Sequence, residues 1–315
     1  MKFKNLKVGD NNVVLYALVT NCQIKQTVNQ TPYYGLTLSD GDDLSDARIW
    51  TVGIVQMLSK GEIEVGNVYK LTVKVNDYAG KNQIIITKIE DIEEGEVELS
   101  KFYKTAPIDL EELKKIIKDE IKNIENSVLR KIVVDLIGKD ADKYFIHQAA
   151  ITMHHNYMGG LAYHVYSMLE IANVLIKNYP GLNKDLLKAG VLIHDIGKTV
   201  EITSDKTPSY SKEGNLLGHI VIGLTKLQDV IKENGFEESD EALALLHMVA
   251  SHHGELEFGS PKEPMIFEAL ALHLIDLMDS KLAGTSEFVT KATKGSYTTP
   301  VPTLSKKSLY VPNIE

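Results

Sequence analysis

The stretch Leu192-Ile193-His194-Asp195-Ile196-Gly197-Lys198 decides how this sequence is read. An imidazole and a carboxylate stand side by side where the apolar run from Lys184 to Ile193, read as a helix, comes to its end. A carboxylate in that position can bridge two cations while the imidazole holds one of them. The same residue types recur on either side, each within or at the end of an apolar helical pattern. His164 lies in the run Leu161 to Ile176 and His219 in the run Leu216 to Lys232. His252-His253 closes the run that Asp240 caps, and Asp276 lies in a run from Pro264 to about Leu282. Helical bundles build metal sites from side chains projected inward in this way.

Seven nitrogen and oxygen donors are more than one tetrahedral zinc takes. They suit two divalent ions with positions left for water and substrate. A donor set without sulfur favours manganese, cobalt or iron. Cys22, the single cysteine, excludes a disulfide framework and a cysteine-rich zinc site. Asp279 shares part of the Asp276 helical face and is an alternative ligand. His273, one turn before Asp276, is placed to orient a ligand. His147 and His247 read as ordinary core or surface residues. Lys198, three residues after Asp195, can meet charge on a phosphoryl oxygen.

All ten histidines fall from His147 onward, and the N-terminal part reads as β structure. Val13 to Val19 is rich in strand formers, and Tyr69, Leu71, Val73 and Val75 alternate with polar residues. Tyr33 to Leu38, Ala47 to Trp50 and Gln83 to Ile89 supply further short strands, and a small barrel solves the edge problem for such a set. Trp50 is a candidate nucleic-acid contact among the aromatics Tyr33, Tyr34, Trp50, Tyr69 and Tyr78. Glu90 to Glu98 is acidic and weakly patterned, and Asp109 with Glu112 forms a capping box that opens the helical part. The fold class is therefore multi-domain α and β. It consists of a small β-barrel over 1–95, a linker over 96–108, an all-α bundle over 109–284 and an extended tail over 285–315.

Hydrophobic residues at 43% and charged residues at 24% exclude disorder as the main state. A net charge of −9 argues against a general polybasic binder, so an anionic substrate must be met by a local device. Lys70, Lys74 and Lys81 are the candidates on the barrel for holding a strand. No apolar run of membrane-spanning length and no signal peptide are seen, so a cytoplasmic protein without a membrane partner is expected.

The order H…HD…D, sharpest as HDxGK at 194–198, resembles the HD-domain phosphohydrolases. His219 and His252-His253 resemble the two-metal branch of that superfamily. The resemblance implies one metal on His164, His194, Asp195 and Asp276, and a second that shares Asp195 and takes His219, His252 and His253. A closer likeness lies in His154-His155-Asn156-Tyr157-Met158-Gly159-Gly160-Leu161 and His164, which are similar to the HHxYxGGLxxH opening of the YhaM family. Ala271 to Asp279 is similar to that family's closing helix. The family comprises bacterial 3′–5′ exoribonucleases with an N-terminal OB-fold and a C-terminal HD domain. It implies that His154, His155 and Tyr157 line the active site.

The leading expectation is metal-dependent hydrolysis of single-stranded RNA, with single-stranded DNA as a second substrate. Cleavage runs from the 3′ end and releases nucleoside 5′-monophosphates, with Asp195 and Lys198 as the catalytic pair. The alternative is an HD-domain phosphohydrolase of nucleotides or cyclic dinucleotides in which the barrel is a regulatory module. A non-enzymatic scaffold is disfavoured because every expected donor is present. A homo-oligomer is compatible with the sequence.

Overall fold

The computed structural model describes residues 1–27, 29–78, 80–93, 95–98, 101–102, 106–149, 157–203 and 208–314. These form two compact units, one built on residues 1–104 and the other on residues 105–204 and 208–315.

The first unit is a closed barrel of strands β1 (Val13–Gln26), β2 (Pro32–Ser39), β3 (Leu44–Ile49), β4 (Val68–Tyr78) and β5 (Lys81–Glu90). Neighbours run in the order β1-β2-β3-β5-β4, and β4 pairs with β1 to close the ring. The β3–β5 pairing is parallel (Ala47 with Ile84, Arg48 with Ile85) and the others are antiparallel, an OB-like arrangement. Alternation sets the two faces. Leu15, Ala17, Val19, Leu36, Leu38, Ala47, Ile49, Leu71, Val73 and Val75 fill the interior, and their sequence neighbours point outward. A register shift between Val19 and Asn21 lets the long β1 bend around the barrel.

The second unit is helical. It comprises α1 (Leu110–Lys122), α2 (Ser127–Lys139), α3 (Ala141–Ile146), α4 (Gly160–Asn178), α5 (Lys184–Ile193), α6 (Lys198–Glu201), α7 (Lys212–Asn234), α8 (Asp240–Ser251) and α9 (Phe267–Lys291). Caps explain several starts. Asp109 accepts from the Glu111 and Glu112 amides, and Asn183 from those of Asp185 and Leu186. At α8 the cap is Ser239 rather than Asp240, which is already helical and adds its charge to the first turn. Pro264 precedes α9, whose first helical residue is Phe267, and α9 continues to Lys291, past the end near Leu282 read from periodicity. Helix α5 packs against α2, α4, α8 and α9, so its C-terminal end delivers His194 and Asp195 to the middle of the bundle. Among the described residues no helix is long and apolar enough to cross a membrane.

Candidate metal centre

His194 and Asp195 occupy the turn between α5 and α6. The buried Tyr144 hydroxyl donates to the Leu192 carbonyl at 2.8 Å and ties down the end of α5. Gly197 explains the glycine of the motif. A Cβ there would lie 2.0 Å from the His219 carbonyl oxygen and 2.8 Å from the Gly223 amide nitrogen. The bare backbone therefore lets α7 approach the His-Asp turn. Helix α7 is interrupted at Gly218, whose φ of 71° and ψ of 160° are open to glycine at little cost. The chain restarts as helix at His219. Glu201 accepts from the His219 amide at 3.0 Å and from its Nδ1 at 3.1 Å, so one carboxylate caps the restart and orients the ring.

The two oxygens of Asp195 face different groups. Oδ2 lies 3.3 Å from His194 Nε2 and 3.8 Å from His164 Nε2. Oδ1 lies 3.6 Å from His219 Nε2 and 3.7 Å from His252 Nε2. Asp276 Oδ1 is 3.2 Å from His164 Nε2. Ligand-type atoms of His164, His194 and Asp195 form one cluster within 4.8 Å of one another, and those of His219, His252 and His253 form another.

Every one of these imidazoles is held through Nδ1. The acceptors are an Asp279 carboxylate oxygen for His164 (2.7 Å), the Val191 carbonyl for His194 (2.9 Å), Glu201 for His219, the Val249 carbonyl for His252 (2.7 Å) and the Phe258 carbonyl for His253 (2.8 Å). An oxygen acceptor places the proton on Nδ1 and leaves Nε2 with its lone pair aimed at the centre. His219 Nε2 and His253 Nε2 then face one another at 3.3 Å as two acceptors. His194 Nε2, His252 Nε2 and Asp195 Oδ1 are buried without a hydrogen-bond partner among the described residues. Orphaned acceptors converging on one spot are what a cation satisfies, so the donor set fits divalent metal.

The electrostatics agree. Burial pushes the Asp195 carboxyl up, but Lys198 and His194 outweigh it and hold it well below the usual range. Asp276 is likewise held low despite burial, chiefly by His164. Burial pushes His252 well down and His253 down, which keeps their lone pairs available. Burial also disfavours a charged His164, yet hydrogen bonds to Asp276 and Asp279 raise it to about 9. The pocket around Nε2 of His164 thus favours positive charge, whether proton or metal.

The remaining expected site residues fall as follows. Lys198 Nζ sits 2.7 Å from Asp195 Oδ2, inside the cluster rather than in solvent. Asp279 is turned away from the Nε2 centre, holding His164 and accepting from the Ser167 hydroxyl at 2.5 Å. His273 Nδ1 donates to the His252 carbonyl at 3.0 Å, and His247 Nε2 accepts from the Met265 amide. Tyr157 is half-buried, with its ring 6.3 Å from that of Tyr163, and burial together with the nearby Tyr163 and Asp279 pushes its phenol up. His154 and His155 lie outside the described residues. Trp50 belongs to the barrel unit, where it is 37% exposed. Lys70, read as a strand-holding lysine, is bound to Glu96 at 2.5 Å instead. Glu201 was not legible as a site residue, because only the fold brings it to His219.

A family model described as HD domain matches residues 161–281, the segment carrying all these donors, and implies dependence on a divalent metal. A Geobacillus sp. protein named 3′-5′ exoribonuclease YhaM is 36% identical over 307 residues, 97% of this chain and 93% of its own length. A Bacillus subtilis protein of the same name is 35% identical over 97% of this chain and 96% of its own, and one from Listeria welshimeri is 34% identical over 99% and 98%. No solved structure gives a significant match. With identity of this level running through both the barrel and the helical unit, the chain belongs to the YhaM family, whose named members are 3′-5′ exoribonucleases.

Proposed function

We propose that this protein is a metal-dependent exonuclease that shortens single-stranded RNA from its 3′ end and releases nucleoside 5′-monophosphates. The observation that carries this reading is the placement of the two Asp195 oxygens against separate sets of imidazoles. Asp195 would serve two divalent ions, with His164, His194 and Asp276 completing one donor set and His219, His252 and His253 the other. Manganese, cobalt or iron suits these donors better than a structural zinc. When bound, the ions supply Lewis acidity toward the scissile phosphoryl oxygens and the attacking water.

The chain's own residues do the rest. Asp279 and Glu201 fix the rings of His164 and His219 so that no reorganisation is needed as charge develops. Lys198 adds positive charge beside the reacting phosphoryl group while holding Asp195 in place. Water adds to phosphorus, the bond to the 3′-oxygen of the penultimate nucleotide breaks, and that oxygen leaves as a hydroxyl. His154, His155 and Tyr157 bind the substrate. Residues 1–95 hold the strand upstream, with Trp50 among the contacts, and 109–284 perform hydrolysis. Single-stranded DNA presents the same diester and is a second substrate.

A 5′-labelled oligoribonucleotide incubated with the protein and Mn2+ tests this directly. The expected result is a ladder shortening from the 3′ end. Turnover of free nucleotides or cyclic dinucleotides beside an intact oligonucleotide overturns it in favour of a small-phosphate hydrolase.

A further inference from the structure

The chain after α9 folds back on itself. From Phe288 to Ile314 it carries four lysines and no acidic residue, in a protein of net charge −9. Backbone bonds join its two arms. The Thr298 amide donates to the Leu309 carbonyl at 2.8 Å, the Val301 amide to the Lys307 carbonyl at 2.9 Å and the Val311 amide to the Ser296 carbonyl at 2.8 Å. The result is a short antiparallel hairpin, with Tyr297 opposite Tyr310 and Val301 opposite Lys307. Its inner side is anchored. Thr298 and Val301 are buried, and Thr303 lies so close to α9 that a Cβ at Gly284 would stand 2.5 Å from its methyl group. Gly284 follows Asp276 by eight residues on α9, so this anchor lies about 12 Å along the helix from the level of Asp276.

The outer side is different. Directly opposed residues of a hairpin share a face, and the Tyr297 and Tyr310 rings stand together, 5.4 Å apart at 59°. They are 69% and 52% exposed, so the pair adds little to any core. At the tip, Ser305 and Lys306 have φ of 53° and 60°, left-handed values that residues with a Cβ seldom adopt. The turn spends backbone strain on a lysine where a glycine would be unstrained. Lys306 and Lys307 are both exposed and make no ion pair among the described residues. Lys294 is exposed too, and its Nζ donates to the Ile314 carbonyl at 3.1 Å, which leaves its charge uncompensated. Lys291 alone is neutralised, by Glu287 at 2.7 Å. Lys307 is three residues from Tyr310, about 10 Å along an extended arm. Ring faces take bases and lysines take phosphates, so the two together fit a nucleic-acid single strand. Their seat on the helix that supplies Asp276 fits a strand whose end lies at the metal centre.

We propose that the C-terminal hairpin is a second holding site for the RNA strand, carried by the helical unit itself, in which Tyr297 and Tyr310 take an unpaired base and Lys294, Lys306 and Lys307 meet the adjoining phosphates. The proposal rests on the exonuclease reading of the metal centre and adds a site, its residues and a dependence on strand length. The grip lies upstream of the scissile bond, so it acts on long substrates and not on the shortest. It gives an acidic protein a local positive surface beside its site of hydrolysis.

The test uses the full-length protein with Mn2+. Fluorescence anisotropy measures binding of a long, hydrolysis-resistant phosphorothioate oligouridylate, and initial rates compare a long oligouridylate with a dinucleotide. Tyr297→Ala and Tyr310→Ala are each expected to weaken binding of the long strand by about 5- to 150-fold, the range of one lost base stack. KM for the long strand is expected to rise in step, with its kcat and both dinucleotide constants unchanged. Tyr297→Phe, which keeps the ring, is expected to keep the parent's affinity. Lys306→Gln combined with Lys307→Gln is expected to flatten the log–log salt dependence of binding by about 1.4, two lost phosphate contacts. Unchanged affinity and salt slope, or equal losses on long strand and dinucleotide, overturn the proposal. So does a changed oligomeric state in Tyr297→Ala with RNA binding intact, which assigns the rings to a contact between copies of the chain. Weakened binding in the variants without a 3′-end ladder in the parent overturns the exonuclease reading and leaves the hairpin site standing. A ladder with unchanged binding in the variants does the reverse.

Discussion

The two halves of the histidine–aspartate cluster are built by different means. His164 sits within the long helix α4 and His194 caps the end of the well-packed α5, and both side chains are completely buried. Asp279, from the same helix as Asp276, locks His164 from behind. On the other side of Asp195, His219 and His253 are placed by breaks in helical structure. His219 begins the restart after the Gly218 kink, and His253 lies past the end of α8, tethered to the Phe258 carbonyl. Both are partly open to solvent. His164, His194 and His252 are thus set by core packing, and His219 and His253 by local capping and turn bonds. Local interactions of that kind open and reform at lower cost than a packed core. His219 and His253 form the more open side of the cluster, and His164 and His194 its buried side.

Asp195 belongs to both halves, so removing it is the severest test of their unity. Asp195→Ala is expected to lower exonuclease turnover by more than about 1,000-fold, since both ions and the orientation of Lys198 depend on it. Initial rates on a labelled oligoribonucleotide measure this. Activity within about tenfold of the parent would sink the metal-site account. A smaller pair of effects separates the halves. Asp279→Asn is expected to weaken only the tighter ion, and Glu201→Gln only the looser one, each by about 10- to 100-fold. Competition against a chelator under Mn2+ titration resolves the two affinities. A loss of the same affinity in both variants would contradict two separately built halves.

The inner half could be read in the sequence almost residue by residue, because its donors fall at fixed points on periodic apolar helices. The bundle around it was legible for the same reason, and the barrel from its period-2 strands. What escaped was set by long-range register or by breaks in periodicity. Glu201 stands in a four-residue helix with no pattern of its own, and its role exists only because Gly197 admits α7 so closely. Asp279 shares a helical face with Asp276, so spacing left open which of them faces the centre, and only the position of α4 separates them. Arg48 meets the ring of Tyr33 on the neighbouring strand and that of Trp50 two residues on, and it meets that of Tyr78, thirty positions along the chain, only through closure of the barrel. Lys70 looked available until the fold set Glu96 against it.

In the proposed centre Asp195 would serve two divalent ions of unequal affinity. Calorimetric titration of Mn2+ into chelator-stripped protein, run in parallel on Asp195→Ala, tests it most directly. The expected result is two ions of distinct affinity bound by the parent, and loss of both high-affinity events in the variant. A single ion in the parent, or two that survive the substitution, would contradict it.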